Sequence, residues 1–557
     1  MGWVASINRT IAASVVGRYF RLEFSGHVRE RKGTSFLTEV NAGLATFFAM
    51  AYIISVNASI VSQSGGTCIC TAANDTTCSN DASYLRCVQE IHQDLITATA
   101  AISAVSSIGM GLVANIPVSL APGMGLNSWF TYQIVGFHGT GPLSYSSALT
   151  AVFFEGLAFL AITLLGLRKW LGRAIPSSLK VSAGAGIGLY IALVGLTYSG
   201  IGAITGGTND PLQLGGCSPN YLDKTTGACK MDQMRNPTMW LGICCGGIFT
   251  ALLMLYKVKG AIIFGIMLVS IISWPRGTSV TAFPHTDLGD LSFDFFKQGA
   301  TFHPIKHVLA AQEWATPNTD RGKFALTLVT LLYVSILDVT GTLYSMAQFC
   351  GALDSEAQDF EGSTAAYLVS SVTISLGSLL GCPPVTAFVE SSVGIAEGGS
   401  TGLTSCTTGL CFLVSIFFAP IFASIPPWAT GCTLILVGGM MAKAVVHINW
   451  RYIGDAVPAF LTLAIMPFTY NIAYGLIAGL TTYVVINGIA YLLFLVSSGR
   501  IAPYNYEQAD SWCARGDTDN RFLCGLTRFR RRKHRNLTGY IEDAPGVDGD
   551  VELDVQS

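Results

Sequence analysis

The stretch Asn115-Ile-Pro-Val-Ser-Leu-Ala-Pro-Gly-Met-Gly-Leu-Asn127 places prolines and glycines inside a run of apolar sequence. A second stretch in the other half of the chain, Gly381-Cys-Pro-Pro-Val-Thr-Ala-Phe-Val-Glu390, has the same character. Proline cannot continue a helix and glycine tolerates unusual dihedral angles, so both stretches predict backbone that leaves helical geometry. At membrane depth, such backbone is tolerated only where it is buried in protein or lines a cavity.

The composition indicates a polytopic membrane protein. Hydrophobic residues make up 51% of the 557 positions and charged residues only 12%, whereas soluble domains carry about 25% charged residues. The formal net charge of -2 identifies no partner, and nothing in the sequence suggests nucleic acid.

About fourteen apolar stretches are candidates for membrane segments, judged against the roughly 20 residues that a spanning helix needs. We number them 1 to 14, near 38–62, 94–114, 118–136, 147–167, 181–199, 238–256, 259–274, 323–346, 364–380, 385–396, 402–424, 431–446, 454–470 and 472–496. The broken stretches are segments 3 and 10, about seven segments apart. A matched pair of broken segments predicts an inverted repeat with a binding site near the bilayer midplane.

Charge in the connecting loops predicts the orientation. Residues 1–37 are mixed and basic, with no visible signal peptide, and further basic residues fall at Arg168–Lys180 and Arg528–Arg535. Since positive loops stay inside, we expect both termini in the cytosol. The tail from 498 to 557 then reads as polar and cytosolic.

The same orientation places two cysteine-bearing loops outside, where cysteines pair as disulfides. We expect disulfides among these cysteines without fixing the pairing, and glycosylation at the sequon of Asn74. A zinc site is the weaker alternative, because no set of histidines accompanies the cysteines. The candidates are Cys68, Cys70, Cys78 and Cys87 in residues 63–93, and Cys217 and Cys229 in residues 200–237.

Two acids lie in membrane-length apolar sequence. Asp338 falls within segment 8, and Glu390 follows the break in segment 10. A carboxylate near the bilayer centre costs several kcal/mol unless it is paired, protonated or facing a wet cavity, so both residues mark a substrate or proton path. Asn57 in segment 1 and Glu155 in segment 4 are weaker candidates, with Glu155 expected to be an interhelical partner.

Four sequence strings resemble the AzgA-like purine permeases, and the similarity extends over most of residues 17–497. The strings, in the expected order, are Ala121-Pro-Gly-Met-Gly-Leu-Asn127, Leu337-Asp-Val-Thr-Gly-Thr-Leu-Tyr344, Val385-Thr-Ala-Phe-Val-Glu-Ser-Ser392 and Glu397-Gly-Gly-Ser-Thr-Gly-Leu403.

The resemblance implies an all-α polytopic fold of about fourteen segments in two inverted repeats of seven, as in uracil permease. It implies a core domain that moves against a gate domain, and a homodimer is expected by the same resemblance. The core would comprise residues 38–180 and 323–430, and the gate residues 181–322 and 431–497, between a cytosolic N-terminal segment (1–37) and the tail (498–557).

Family members carry hypoxanthine, adenine and guanine across the plasma membrane by proton symport, with protons as the coupling ion and no other cofactor. The resemblance places Asn127, Asp338 and Glu390 at the purine site, and either acid is a candidate proton carrier. Backbone near Gly125, Ala387 and Phe388 is expected to add hydrogen bonds, and the Phe388 ring is a candidate to stack on the base.

Several alternatives stay open. Asn127 would also serve as a helix cap, Phe388 as a core aromatic, and the two acids as structural partners. Transport of xanthine, uric acid or pyrimidines, or of anions on the same fold, are rival functions. The segments contain no nucleophile and base pair, metal set or cofactor fingerprint, so the chain is not expected to be an enzyme.

Overall fold

Helices dominate the computed structural model. It describes residues 2–28, 30–31, 33–69, 81–166, 176–197, 200–205, 213–214, 236–258, 260–314, 321–350, 353–354 and 359–497. In this part of the chain, nine helices are long and apolar enough to cross a membrane, and three further apolar helices are shorter. The predicted all-α membrane fold is confirmed, while the count of fourteen segments stays a prediction.

Segments 1 to 7 each have a structural counterpart. Segment 1 bends at Ala51 between two helices, and segments 2, 3 and 6 contain π-helical turns. Their bounds are Phe36–Met50 with Tyr52–Ser62; Ala82–Gly109 with Met110–Ala114; Met124–Trp129 with Phe130–Val135; Tyr145–Leu164; Ser177–Leu196; Pro237–Leu241, Gly242–Ile248 and Phe249–Leu255; and Ala261–Ser273.

Segments 8 to 14 follow a loop that carries the helix Asp287–Lys297. Segment 10 is a six-residue helix, the shortest of the seven. Their bounds are Arg321–Phe349; Ser363–Leu379; Ser391–Ala396; Gly402–Ser415 with Ile416–Phe418 and Ala419–Ala423; Pro427–Ala442 with Lys443–His447; Ile453–Phe468; and Ile472–Val496.

Shorter elements complete the described part of the chain. Two helices, Gly2–Ala12 and Val15–Phe20, precede segment 1, and a 3-10 turn covers Phe137–Gly139. Six short strands pair in twos: β1 (Leu120–Pro122) with β6 (Val385–Ala387), β2 (Ile204–Thr205) with β3 (Gln213–Leu214), and β4 (Leu353–Asp354) with β5 (Asp359–Phe360).

Polar side chains begin several of the helices. Ser35, Asp81, Ser144 and Thr401 each accept a hydrogen bond from a backbone N–H in the first turn of segments 1, 2, 4 and 11. Such caps satisfy donors that have no partner within the helix. The helix starts are therefore set by local sequence.

The helices pack in two groups. Segments 1, 2, 4, 8, 9, 10 and 11 contact one another, with segment 4 against segments 8 and 9 and segment 11 against segments 1 and 2. Segment 5 packs instead on segments 12 and 13, and segment 13 on segment 14. The division into core and gate domains that the resemblance implies stays a prediction.

The two broken stretches meet as a pair of antiparallel strands. Leu120 lies opposite Ala387, Ala121 opposite Thr386, and Pro122 opposite Val385, and all six residues are buried. Strands β1 and β6 come from opposite halves of the chain. Each strand therefore supplies hydrogen-bond partners to the other where neither is helical.

Serine side chains satisfy the backbone groups that this short pairing leaves over. Ser106 and Ser107 both donate to the Leu120 carbonyl, at 3.1 and 3.0 Å, and the Leu120 N–H donates to Ser107 Oγ at 3.1 Å. The Ser119 N–H donates to Ser391 Oγ at 3.0 Å, and the Ser405 hydroxyl donates to the Val118 carbonyl at 2.8 Å. The non-helical backbone is thus paired within the protein, as a membrane interior requires.

Only part of the cysteine prediction falls on described residues. Cys68 and Cys87 form a disulfide that joins the loop before segment 2 to the start of that segment. Cys70, Cys78, Cys217, Cys229 and Asn74 lie outside the described residues, as does the tail from 498 to 557.

Removing the Ser107 hydroxyl tests whether the strand pair depends on this serine. Ser107→Ala leaves the Leu120 N–H without its partner, and a buried unsatisfied donor costs about 1–3 kcal/mol. We expect the purified variant to unfold at a lower temperature than the wild type in detergent.

Ser415→Ala is the matched control, because buried Ser415 donates only to the Cys411 carbonyl of its own helix. It should change the unfolding temperature little. Equal unfolding temperatures for Ser107→Ala and Ser415→Ala would contradict a supporting role for Ser107.

Candidate functional site

Each of the paired strands leads into a short helix that packs against segments 1 and 8. Strand β1 leads through Gly123 into Met124–Trp129, and β6 leads through residues 388–390 into Ser391–Ala396. Segment 1 contacts both short helices, and segment 8 contacts β6 and both of them. Polar side chains from segments 1, 3, 8 and 10 therefore come to one region.

Glu390 occupies the position immediately before the segment 10 helix. The Tyr52 hydroxyl donates a hydrogen bond to Glu390 Oε1 at 2.7 Å. Tyr52 is buried and begins the second helix of segment 1, directly after the bend. A buried hydroxyl thus orients the carboxylate, and hydrogen bonds to a charged acceptor are stronger than neutral ones.

Asp338 faces the strand pair from segment 8. Its carboxyl group lies near the Thr386 hydroxyl, and Thr386 is the central residue of β6, opposite Ala121. The two predicted acids are thus associated with the two ends of residues 386–390.

Asn127 is fixed by a chain of buried polar groups. Its Nδ2 donates to Asn57 Oδ1 at 2.5 Å, and Asn57 Nδ2 donates to Thr99 Oγ1 at 2.7 Å. Asn127 Oδ1 is buried and has no hydrogen-bond partner among the described residues. An unsatisfied buried acceptor is costly, so this oxygen is suited to a donor that arrives with a ligand.

The other three predicted residues lie in the strand pair, in the main apolar cluster and at a helix contact. Ala387 pairs with Leu120 in the strand ladder, and the Phe388 ring is buried in the main apolar cluster. Gly125 lies against segment 5, where an added Cβ would overlap Ile187 and lie 3.7 Å from Ile472 Cδ1. Gly125 therefore permits close contact between segments 3 and 5.

Backbone donors at the two breaks are used within the protein. The Gly123 N–H donates to the Pro384 carbonyl at 3.0 Å. The Phe388 N–H donates to the Ser119 carbonyl at 3.1 Å, and the Ser391 N–H to the Phe388 carbonyl at 3.2 Å. The strand pair and a local turn use these donors, because segments 3 and 10 touch each other at the break.

Sequence reasoning missed Tyr52 and ranked Asn57 too low. Both lie on Tyr52–Ser62, and both make direct hydrogen bonds to predicted site residues. A tyrosine hydroxyl and an asparagine amide within a membrane-length segment were the available signal. Asn127 is not a helix cap, because the cap of its helix is Gly123.

The site carries negative but no paired positive charge. Within the described residues, the ion pairs lie in loops, the N-terminal region and the outer end of segment 2, and none involves Asp338 or Glu390. The described residues also contain no group of three side chains suited to a metal ion. The arrangement therefore suits a neutral ligand with N–H donors.

The sequence is similar to those of known membrane transport proteins. The model of the permease family named for xanthine and uracil matches residues 37–477. The chain is 59% identical to an efflux pump of Aspergillus versicolor, notK', over 92% of this chain and 89% of that protein.

Two permeases are similar over comparable lengths. A putative xanthine/uracil permease of Schizosaccharomyces pombe is 54% identical, over 92% of this chain and 81% of that protein. The guanine/hypoxanthine permease PbuO of Bacillus subtilis is 31% identical, over 83% of this chain and 93% of that protein.

The fold also occurs in a solved structure. The transmembrane domain of the cyanobacterial bicarbonate transporter BicA superposes with a TM-score of 0.52 at 15% identity, covering 80% of this chain and 97% of that domain. At this identity the similarity concerns the fold alone.

Replacing Tyr52 by phenylalanine tests whether its hydroxyl orients Glu390. The variant keeps the ring and loses a hydrogen bond to a charged group, worth about 1.5–3 kcal/mol. We expect transport to fall by about tenfold or more, measured as initial uptake rate at equal surface expression.

The matched control is Tyr474→Phe, since Tyr474 is exposed on segment 14. It should transport at the wild-type rate. Wild-type transport by Tyr52→Phe would show that the Tyr52 hydroxyl is dispensable.

Proposed function

This chain belongs to the xanthine/uracil permease family, and from that premise we propose that it is a proton-coupled symporter of purine nucleobases. Its substrates in this proposal are hypoxanthine, adenine and guanine. It is a multi-pass membrane transporter, not an enzyme.

The observation that carries the proposal is the pair Glu390 and Asn127 beside the strand pair. Purine bases are flat and neutral, and their edges mix N–H donors with ring-nitrogen and carbonyl acceptors. The Glu390 carboxylate, oriented by Tyr52, accepts N–H bonds from such an edge. Asn127 Oδ1 offers a second, unused acceptor in the same group of helices.

Asp338 supplies the third polar contact in this proposal. It lies on segment 8 near Thr386 of β6, on the side where a base bound at Glu390 would meet that segment. An acid that takes up a proton in this place can donate as well as accept a hydrogen bond. Asp338 or Glu390 would then link base binding to proton binding.

The relatives favour nucleobases over anions. The name of the Bacillus subtilis protein specifies guanine and hypoxanthine, and that of the Schizosaccharomyces pombe protein specifies xanthine and uracil. An anion site would require positive charge, and no described ion pair brings Lys or Arg to Asp338 or Glu390. Xanthine, uric acid or pyrimidine transport remains the alternative substrate class.

Transport in this proposal uses alternating access, with segments 1–4 and 8–11 moving as an elevator against segments 5–7 and 12–14. Gly125 lies at the contact between the two groups, against Ile187. A side chain there would obstruct the sliding of segment 3 past segment 5.

The proposal also includes a homodimer through the gate domain, a plasma-membrane location and cytosolic termini, as the resemblance implies.

A second candidate function is export. The Aspergillus versicolor relative, 59% identical to this chain, is called an efflux pump. The same site would then bind a planar heterocycle on the inner side and release it outside. The direction of net transport separates the two candidates.

Uptake of radiolabelled hypoxanthine tests the proposed function. In cells without purine carriers of their own, wild-type protein should accumulate hypoxanthine, and a protonophore should abolish the accumulation. Glu390→Gln removes the acid and should weaken uptake by about tenfold or more, the equivalent of a charged hydrogen bond.

Glu361→Gln serves as the control, because Glu361 is half-exposed and pairs with Arg21 outside the site. Its uptake should match the wild type. Absence of wild-type uptake of hypoxanthine, adenine and guanine would overturn the purine assignment, and faster loss of preloaded base would favour export.

A further inference from the structure

Glu155 is a buried acid that the proposed base site does not use. It lies in the middle of segment 4 and is completely inaccessible to solvent. Neither carboxyl oxygen has a hydrogen-bond partner of standard geometry among the described residues. None of the described ion pairs involves it.

The group that faces Glu155 is the hydroxyl of Ser335 on segment 8. Ser335 is also completely buried and makes no hydrogen bond of standard geometry within the described residues. It precedes Asp338 by three residues, and residues three apart lie on the same side of a helix. Glu155 therefore contacts segment 8 one turn from a proposed site acid.

Close helix packing holds Glu155 in this place. An added Cβ on Gly156 would lie 2.8 Å from the Ser375 backbone nitrogen and 2.9 Å from the Ser371 carbonyl oxygen. Segments 4 and 9 thus touch backbone to backbone beside Glu155. The carboxyl group cannot reach water by a small shift of its helix.

A carboxylate in this position would be a buried charge without compensation. Burying an isolated ionised carboxylate costs far more than burying the neutral acid, so the described conformation favours the protonated group. Segment 8, which packs against segment 4, carries two cations, Arg321 and Lys323, but both lie in its first turn, about three turns before Ser335. The other titratable side chains beside segment 4 are not cations, being Tyr132, Glu313, Tyr333, Asp338 and Tyr367.

We propose that Glu155, in place of Asp338 or Glu390, is the acid that carries the coupled proton, and that Asp338 and Glu390 only bind the base. This inference rests on the proposed proton symport. The Glu155 O–H bond breaks when movement of the core against the gate lets water from the cytosolic side reach the contact between Glu155 and Ser335. The proton passes to that water, and the carboxylate takes up a proton from the outer side in the next cycle.

The test separates proton coupling from substrate movement. Purified protein in proteoliposomes is assayed for exchange of labelled against unlabelled hypoxanthine without a gradient, and for accumulation driven by an inward proton gradient. A gradient of about one pH unit can drive about tenfold accumulation by one proton. Glu155→Gln should retain exchange but accumulate base only to equilibrium, while Glu155→Asp should accumulate it.

Glu30→Gln is the control, because Glu30 is exposed in the N-terminal region, and it should behave as the wild type in both assays. Gradient-driven accumulation by Glu155→Gln equal to the wild type would overturn the inference and leave the proposed function intact. Loss of exchange in both Glu155 variants would also overturn it, showing a structural role. Failure of the wild type to accumulate base would refute proton symport itself.

Discussion

The structure depends on one constraint: backbone that is not helical must find its hydrogen bonds inside the protein when it lies in a membrane. The pairing of β1 with β6 meets that constraint, because each break supplies the partner of the other. Ser107 and Ser391 satisfy groups next to the strands. Segments 2 and 10 therefore fix the strand pair, and the strand pair fixes the starts of both short helices.

The polar site follows from this arrangement. Because β6 ends at Ala387, Glu390 comes to lie beside the bend of segment 1, where Tyr52 orients it. Because β1 ends at Pro122, Asn127 lies one turn into its helix and meets Asn57. Glu390 and Asn127 are thus each held by a neutral donor or acceptor from segment 1. Because these partners are uncharged, the acids remain available to accept hydrogen bonds from a neutral ligand.

Much of this arrangement could be predicted from the sequence. The prolines and glycines of both breaks are visible in the letters, and so are Asp338, Glu390 and Asn127, because acids and amides are rare in apolar segments. Tyr52 could not be assigned, since its role depends on a contact between segments 1 and 10 that no periodicity specifies. The pairing of the two breaks could not be assigned either, because no pattern within one segment shows that segments 3 and 10 meet. Backbone hydrogen bonds near Gly125 stay a prediction. The contact of Gly125 with Ile187 could not be predicted, because it depends on how segments 3 and 5 pack.

The measurement that tests the central claim most directly is an experimental structure of the protein with bound hypoxanthine. The account predicts density for the base beside the strand pair, within hydrogen-bond distance of Glu390 and bordered by segments 1, 3 and 8. It further predicts that Tyr52 remains bonded to Glu390 in that complex. Density for the base elsewhere, or at a position that neither Glu390 nor Asn127 can reach, would contradict it.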